Sequence, residues 1–151
     1  MLDICTVCFF GHRRIERIAP IENALERIVS ELVRSKQYVE FIVGCDGEFD
    51  ELCAAVVRRV TSGLGYGNSE LVLLLPYARS GYDGSCLSYD RIEICEESAA
   101  AHFKAAIQIR NRCMCDRSDM AVCFVTRKGG AYRTLEYAKS IGLEITELGG
   151  E

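Results

Sequence analysis

The chain has 151 residues, of which 49 % are hydrophobic and 26 % are charged, with a formal net charge of −4. This size and balance are typical of one globular domain whose core needs neither disulfides nor a metal. The acidic charge argues against broad binding to a nucleic-acid backbone, which usually needs a basic face. No apolar run reaches the roughly 18 residues of a membrane span, and the first cations follow the opening apolar stretch, unlike those of a signal peptide. We therefore expect a single cytoplasmic domain over residues 1–151, without a membrane or nucleic-acid partner.

The nine cysteines raise the question of a metal or disulfide site. Cys5 and Cys8 form a CxxC pair, but in a predicted strand positions three apart point to opposite faces. Cys113 and Cys115 are poorly aligned to chelate together on a predicted helix. Because cysteine often serves as a small core hydrophobe, we expect buried, reduced thiols and no metal site. We also expect no cofactor other than a nucleotide-type ligand.

Short apolar runs alternate along the chain with longer segments of helical period. The apolar runs predict strands at residues 4–10, 38–44, 71–77, 120–125 and 143–148. Apolar residues at helical spacing predict a helix from Pro20, a second over about 49–60 and another over about 130–141. Residues 78–98 show no clear period, and their Gly, Ser and Tyr content predicts a long loop.

This alternation of strands and helices determines the predicted fold class. Strands separated by helices form right-handed βαβ units, which build a parallel sheet covered by helices on both faces. The uninterrupted apolar stretch at residues 71–77 is typical of a strand buried on both sides. We predict an α/β fold, a single three-layer Rossmann-like domain with a mostly parallel sheet of about five strands.

Glycine, charged and other polar residues follow the ends of the first four predicted strands. In open parallel sheets, ligands bind outside the carboxyl ends of the strands, where helix N-termini also point. The exits contain Gly11-His12-Arg13, then Gly44-Cys45-Asp46-Gly47 up to Asp50, then Pro76-Tyr77-Ala78-Arg79, and finally Arg127-Lys128-Gly129-Gly130. Because these exits share one edge of the sheet, they predict a small-ligand site there.

Two of these exits favour an anionic ligand. Gly129 and Gly130 would let the backbone approach a phosphate, with the N–H groups of the next helix facing it and the Thr134 hydroxyl nearby. His12 and Arg13 after a core strand also suit a phosphate or carboxylate. A plain turn with a solvated Arg would show the same residues, so this interpretation remains open.

The second exit offers carboxylates instead. Asp46 or Asp50 would cap the next helix, or Asp50 would accept hydrogen bonds from a ribose or base.

Arg110 shares one helical stripe with Phe103, Ile107 and Met114. A charge within an apolar stripe needs an anionic partner, because an unpaired buried charge is costly. The candidates are a ligand phosphate or an internal carboxylate, such as Asp116, Asp119 or Glu136.

Four short motifs occur in order along the chain, namely "CFFGHR", "GCDGEFDELCA", "IRNRCMCDRSDMAVCFV" and "GGAYRTLEYA". Together they resemble the SLOG superfamily of Rossmann-like nucleotide-ligand domains, and most closely its small stand-alone bacterial members. That superfamily includes the LOG cytokinin-activating phosphoribohydrolases and the DNA-processing protein A. The resemblance implies a nucleotide-like ligand and association into homo-oligomers through helices.

The resemblance to the LOG enzymes fails at one catalytic position. Arg110 matches their arginine, but the position of their glutamate, three residues after Thr134, is occupied by Tyr137. Glu136 lies one position earlier, which is a rotation of about 100° on a helix.

Whether the protein is an enzyme therefore stays open, with no catalytic residue assigned. The leading hypothesis is binding or sensing of a nucleotide or nucleotide-derived small molecule at the strand ends. The alternatives are a LOG-like nucleotide N-glycosidic hydrolase and a DNA-binding protein related to DNA-processing protein A. The predicted ligand-binding residues are Gly11, His12, Arg13, Gly44, Asp46, Gly47, Asp50, Arg110, Asn111, Gly129, Gly130 and Thr134.

Overall fold

The structure is a computed structural model that describes residues 2–82 and 88–149. The strands are β1 (Ile4–Gly11), β2 (Tyr38–Val43), β3 (Ser69–Leu75), β4 (Arg91–Ile94), β5 (Met120–Phe124) and β6 (Glu144–Leu148). The helices are α1 (Ile18–Ser35), α2 (Glu48–Leu64), α3 (Glu96–Ala99), α4 (Phe103–Asp116) and α5 (Gly130–Ser140). The predicted α/β class is confirmed, with six strands instead of about five.

All neighbouring strands of the sheet are parallel, in the order β4-β3-β2-β1-β5-β6. The chain builds outward from β1 through β2 and β3 to β4, and then crosses back to place β5 on the other side of β1. This reversal of strand order lies between β1 and β5. In doubly wound sheets a reversal of this kind opens a crevice at the carboxyl ends of the two strands.

Helices cover both faces of the sheet because the strands are apolar on both sides. Along β1, Val7 and Phe9 join the core that α1 and α2 cover, and Phe9 stacks on Phe41 of β2 with ring centroids 6.1 Å apart. The alternate residues Cys8 and Phe10 join the core beneath α4 and α5. The arrangement is the predicted three-layer sandwich.

The prediction of one long loop over residues 78–98 is wrong for its last part, where the structure has β4 and the start of α3. Residues 83–87, in the middle of that segment, lie outside the described residues. β4 pairs with β3 from Val72↔Arg91 to Leu75↔Ile94. Arg91 forms ion pairs with Glu40, Glu70 and Glu93. A four-residue edge strand that carries two charges lacks the apolar signal of the other strands.

The apolar stripe predicted on α4 is confirmed only in its C-terminal half. Met114 is buried, whereas Phe103 is 66 % exposed and stacks on His102. Phe103 is the first residue of α4, at the outer edge of the domain.

Within residues 2–82 and 88–149, no helix is both long enough and apolar enough to cross a membrane. The cysteines in these ranges are free, and those that are buried are Cys8, Cys53, Cys95, Cys115 and Cys123.

Candidate functional site

A cleft of about 300 Å³ opens at the reversal of strand order, between the exits of β1 and β5. Its walls come from those two exits, from the β2 exit and from α4. The predicted site residues that line it are Gly11, His12, Arg13, Asp46, Asp50, Arg110, Asn111, Gly129 and Gly130. Gly44, Gly47 and Thr134 are not among its lining residues. The exits of β1, β2 and β5 thus meet in one concave surface, whereas Arg79 at the β3 exit reaches it only through Asp46.

The inner wall of the cleft is built around Arg110, which is only 2 % exposed. Its Nη2 forms an ion pair with Asp46, and its Nη1 donates to the Leu74 carbonyl at 2.9 Å. Its Nε donates to Asn111 Oδ1, also at 2.9 Å. Arg79 Nη1 binds the other Asp46 oxygen at 2.8 Å. Each of the three guanidinium nitrogens of Arg110 therefore has a partner within the protein.

The internal carboxylates predicted as partners of Arg110 are the wrong ones. Asp116 accepts a hydrogen bond from Tyr137, Asp119 accepts one from the Thr6 N–H at 2.8 Å, and Glu136 is exposed. The actual partner, Asp46, lies on the β2 exit. Burial disfavours the ionised form of Asp46, but the charges and hydrogen bonds of Arg110 and Arg79 outweigh it and hold its pKa below the ordinary value.

Asp50 is the second carboxylate of the inner wall. Its Oδ2 accepts from the Asp46 N–H at 3.0 Å, so it supports the loop that carries Asp46. Burial raises the pKa of Asp50 to about 6, although that hydrogen bond and the nearby Arg110 oppose the shift. A Cβ on Gly44 would lie 2.9 Å from Asp50 Oδ2 and 3.0 Å from Arg110 Nη1. A side chain at position 44 would therefore clash with Asp50 and Arg110, and Gly44 leaves room for both.

The expectation that Asp46 or Asp50 caps the second helix is wrong. The N-cap of α2 is Gly47, which has no side chain that could cap the helix. A Cβ on Gly47 would lie 2.5 Å from the Arg13 Cα, so this glycine lets the β1 and β2 exits touch. Across the same junction, the Glu48 N–H donates to the Arg13 carbonyl at 2.9 Å.

His12 joins the exits of β1 and β5 and is 7 % exposed. Its Nε2 accepts from the Thr126 N–H at 2.8 Å, and its ring meets Phe124 edge-on with centroids 5.4 Å apart. Burial, together with the charge of Arg127, lowers the pKa of His12. The imidazole is therefore neutral at neutral pH, and this hydrogen bond assigns its proton to Nδ1.

The outer rim of the cleft contains three exposed cations, namely Arg13, Arg127 and Lys128. Within the described part of the chain, no carboxylate lies within 4.0 Å of any of them. Lys128 Nζ lies 6.0 Å from the centre of the Tyr132 ring, which is a weak contact at an exposed position. The rim is therefore positively charged and unneutralised.

The N-terminus of α5 faces the same cleft. Gly129 is its N-cap, with a φ of 147° that side-chain-bearing residues rarely adopt. A Cβ on Gly129 or Gly130 would meet no atom within 4 Å, so open space lies next to both. The N–H groups of Gly130 and Ala131 belong to the first helical turn and have no intrahelical acceptor. This is the geometry that binds anions at helix N-termini.

The Thr134 hydroxyl was expected near the ligand, but Thr134 does not line the cleft. It is 1 % exposed, and its hydroxyl donates to the Gly130 carbonyl at 3.2 Å. It also accepts from Gln108 Nε2 at 3.0 Å and Asn111 Nδ2 at 3.2 Å. Thr134 therefore holds the start of α5 against α4, behind the cleft.

Sequence reasoning missed part of the cleft lining. Ile107 and Gln108 line it from α4, and Arg127 and Lys128 line it from the β5 exit. The exit pair follows the strand in the sequence and could have been included on that basis. No local pattern distinguishes Gln108, whose role depends on its contact with α5.

Tyr137, which the sequence resemblance aligns with the LOG glutamate, does not line the cleft. Its hydroxyl binds Asp116, and the Arg112 guanidinium lies over its ring at 5.2 Å. Glu136 is exposed and does not line the cleft either. The carboxylates that line it within the described residues are Asp46 and Asp50.

No known protein family matches the chain, and no curated protein or solved structure is significantly similar to it. The resemblance to the SLOG superfamily therefore remains a prediction from the four sequence motifs.

Proposed function

We propose that this protein is a SLOG-like domain that binds or senses a nucleotide or nucleotide-derived small molecule in the cleft between β1 and β5. The phosphate would lie on the N-terminus of α5, against the N–H groups of Gly130 and Ala131. The observation that carries this proposal is the meeting of an open helix N-terminus with the three rim cations at the reversal of strand order.

The distribution of charge supports an anion rather than a cation as the ligand. The carboxylate of Asp46 already has two arginine partners, so it offers little to a bound cation. Asp50 Oδ2 already accepts the Asp46 N–H at 3.0 Å, so this carboxylate is also engaged by the protein. Among residues 2–82 and 88–149 the rim cations have no such partners, and an arginine is well suited to bidentate contact with a phosphate.

The surroundings of the cleft offer space for the rest of a nucleotide. A second cavity of about 410 Å³ shares Arg127 with the cleft. Its lining combines apolar surface from Ile21 and Phe124 with the cations Arg14 and Arg17. An aromatic base can lie on apolar side chains and stack on an arginine plane while its phosphate stays at α5.

A thermal-shift panel tests the proposal. Nucleoside mono- and diphosphates, cyclic nucleotides and ADP-ribosyl compounds are compared with the corresponding nucleosides that lack phosphate. We expect at least one phosphorylated compound to raise the melting temperature, since a ligand at 100 times its Kd stabilises the fold by about 2.7 kcal/mol. The increase should be lost in an Arg13→Ala/Arg127→Ala double variant. Absence of a shift with every compound, or an equal shift in the double variant, contradicts the proposal.

The hydrolase alternative is favoured by one observation, the presence of Asp50 in the cleft. A carboxyl with a pKa near 6 can gain or lose a proton close to neutral pH, and N-glycosidic cleavage needs a carboxylate near the developing cationic sugar. The enzyme would then use Asp50 instead of the glutamate that Tyr137 replaces. Release of free base from a nucleoside monophosphate, lost in Asp50→Asn and retained in Glu136→Gln, would establish it. Binding without any base release leaves the sensing function.

A further inference from the structure

A cluster of two thiols and a carboxylate lies outside the ligand-binding cleft. Cys95 is the N-cap of α3, Glu97 lies in the first turn of α3, and Cys113 lies on α4. Their ligand atoms are all within 4.8 Å of one another, and Cys95 Sγ is 3.7 Å from Glu97 Oε1. Two thiolates bound to one tetrahedral zinc ion lie about 4 Å apart, because each Zn–S bond is about 2.3 Å long. The spacing of the cluster is therefore close to that of a metal site.

Backbone and buried side chains hold the two thiols in place. The Cys95 N–H donates to the Leu75 carbonyl at 2.9 Å, which attaches α3 to the end of β3. The buried Ser98 hydroxyl is 3.1 Å from the Cys95 carbonyl and 2.6 Å from the Pro76 carbonyl. Cys113 precedes the buried Met114 on the face of α4 that packs on the sheet. The thiols are thus positioned by the fold itself, as a binding site requires.

The charges around the cluster favour a cation. The Glu97 carboxylate lies beside both thiols, and the exposed Asp116 follows Cys113 by three residues on α4. A divalent ion beside these groups would offset their negative potential and displace the thiol protons.

We propose that Cys95, Glu97 and Cys113 bind one divalent ion of the zinc class. The ion would form bonds to Cys95 Sγ, Cys113 Sγ and a Glu97 carboxylate oxygen, with a water molecule as the fourth ligand. Each thiol loses its proton to solvent when its metal–sulfur bond forms, and no oxidation state changes. Two thiolates select zinc, cobalt or cadmium over magnesium and calcium, which prefer oxygen ligands.

Access to the site is consistent with this coordination. Glu97 is exposed and Cys113 is partly buried, while Cys95 is 5 % exposed. The ion can enter from the Glu97 side, where the water ligand would remain in contact with solvent. Three protein ligands and one exchangeable position are the pattern of zinc sites that bind a further molecule.

The sequence does not reveal this cluster. Cys95 lies in the segment expected to be a loop, far along the chain from Cys113. The cysteine pairs that are close in sequence, Cys5 with Cys8 and Cys113 with Cys115, do not form it.

Titration of the reduced, metal-free protein with Co²⁺ under anaerobic conditions tests the proposal. We expect one equivalent of Co²⁺ to produce sulfur-to-cobalt charge-transfer bands and the visible bands of a four-coordinate ion, and Zn²⁺ to displace it. Cys95→Ser and Cys113→Ser should lose the charge-transfer intensity, whereas Cys5→Ser, which changes a partly buried thiol elsewhere, should retain it.

Glu97→Gln keeps the result interpretable if a cysteine variant does not fold, because Glu97 is exposed. This variant should bind Co²⁺ at least about 10-fold more weakly, since even outer-sphere partners of a metal change affinity by that factor. The proposal is overturned if the wild type gives no charge-transfer bands, or if the bands persist in both cysteine variants. Unchanged affinity in Glu97→Gln removes the carboxylate from the site.

Discussion

The inner wall and the outer rim of the cleft both contain cations, but those of the wall are buried and paired, whereas those of the rim are exposed and, within the described residues, unpaired. Arg110 is 2 % exposed and bonded to Asp46, Leu74 and Asn111. Arg13 and Arg127 at the rim are exposed and have no ion-pair partner within the described residues. A buried charge needs internal partners and so becomes part of the fold, whereas an exposed, unpaired charge remains free for a ligand. The contrast implies that changes to the inner wall alter stability and changes to the rim alter binding.

The largest expected effect is that of Asp46→Ala on the inner wall. It leaves the buried Arg110 guanidinium without its ion pair, so we expect a loss of about 3–5 kcal/mol in the free energy of unfolding. Urea denaturation measures it. Glu147→Ala is the matched control, because Glu147 is half-exposed and its contact with Lys139 is long, at 4.0 Å. That control should change stability by less than about 0.5 kcal/mol. Equal effects of the two variants would contradict the structural role assigned to Arg110.

Asp50→Asn should act in the opposite direction and depend on pH. The fold raises the Asp50 pKa to about 6, so the folded state binds more protons than the unfolded state between about pH 4 and 6. Ionisation of Asp50 above this window therefore costs stability. Asn removes that cost and can still accept the Asp46 N–H, so we expect a gain of about 3 kcal/mol at pH 8.

The gain from Asp50→Asn should disappear below about pH 4, where the wild-type carboxyl is protonated in both states. Thermal unfolding across pH 3–8 measures this difference. A variant that is less stable than wild type at pH 8 would show that the Asp50 charge stabilises Arg110 more than its burial costs.

The two glycines at the start of α5 form a matched pair that tests whether backbone strain at Gly129 matters for stability. Gly129 has a φ of 147° whereas Gly130 starts the helix, and a Cβ on each would meet no atom within 4 Å. Gly129→Ala should therefore lose about 1 kcal/mol or more of stability, and Gly130→Ala should lose almost none. Denaturation of both variants checks this. A similar loss in both would show that strain at Gly129 is not the cause.

The rim should give the smallest effect on stability and the clearest effect on binding. Arg13→Ala and Arg127→Ala should each change the free energy of unfolding by less than about 0.5 kcal/mol. Each should weaken binding of a nucleotide found in the thermal-shift panel by about 10-fold or more, because a charge-assisted hydrogen bond contributes roughly 1.5–3 kcal/mol when formed. Calorimetric titration measures this, with the exposed Arg27→Ala on α1 as the control. A loss no larger than that of the control would remove the rim from the site.

Most strands of the sheet were predictable from the sequence, and β4 was not. Strands buried on both faces produce continuous apolar runs, so β1, β2, β3 and β5 were predictable, as were the exits that follow them. β6 is an edge strand that is only partly buried, and it was predicted from the apolar residues Leu143, Ile145 and Leu148. β4 was not, because a short edge strand with Arg91 and Glu93 satisfies its charges through Glu40 and Glu70 on neighbouring strands.

At the candidate site, local pattern identified residues but not their partners. The stripe on α4 marked Arg110 as unusual. Its partner Asp46 comes from the β2 exit, and the two side chains meet only when the sheet and α4 have assembled. Thr134 was predicted in the first turn of α5 but is the fifth residue of that helix, and its side chain faces Gln108 and Asn111 instead of the cleft. Pairing of this kind depends on the tertiary fold, which a local pattern does not contain.

The central claim is that an anion binds at the start of α5, and amide NMR tests it most directly. A nucleoside phosphate from the thermal-shift panel is titrated into the ¹⁵N-labelled protein, with the same nucleoside lacking phosphate as the comparison. We predict that the N–H signals of Gly130, Ala131 and Arg13 move most, and that they move only with the phosphorylated compound. If those three signals stay in place while signals elsewhere move, the ligand binds outside this cleft and the account is wrong.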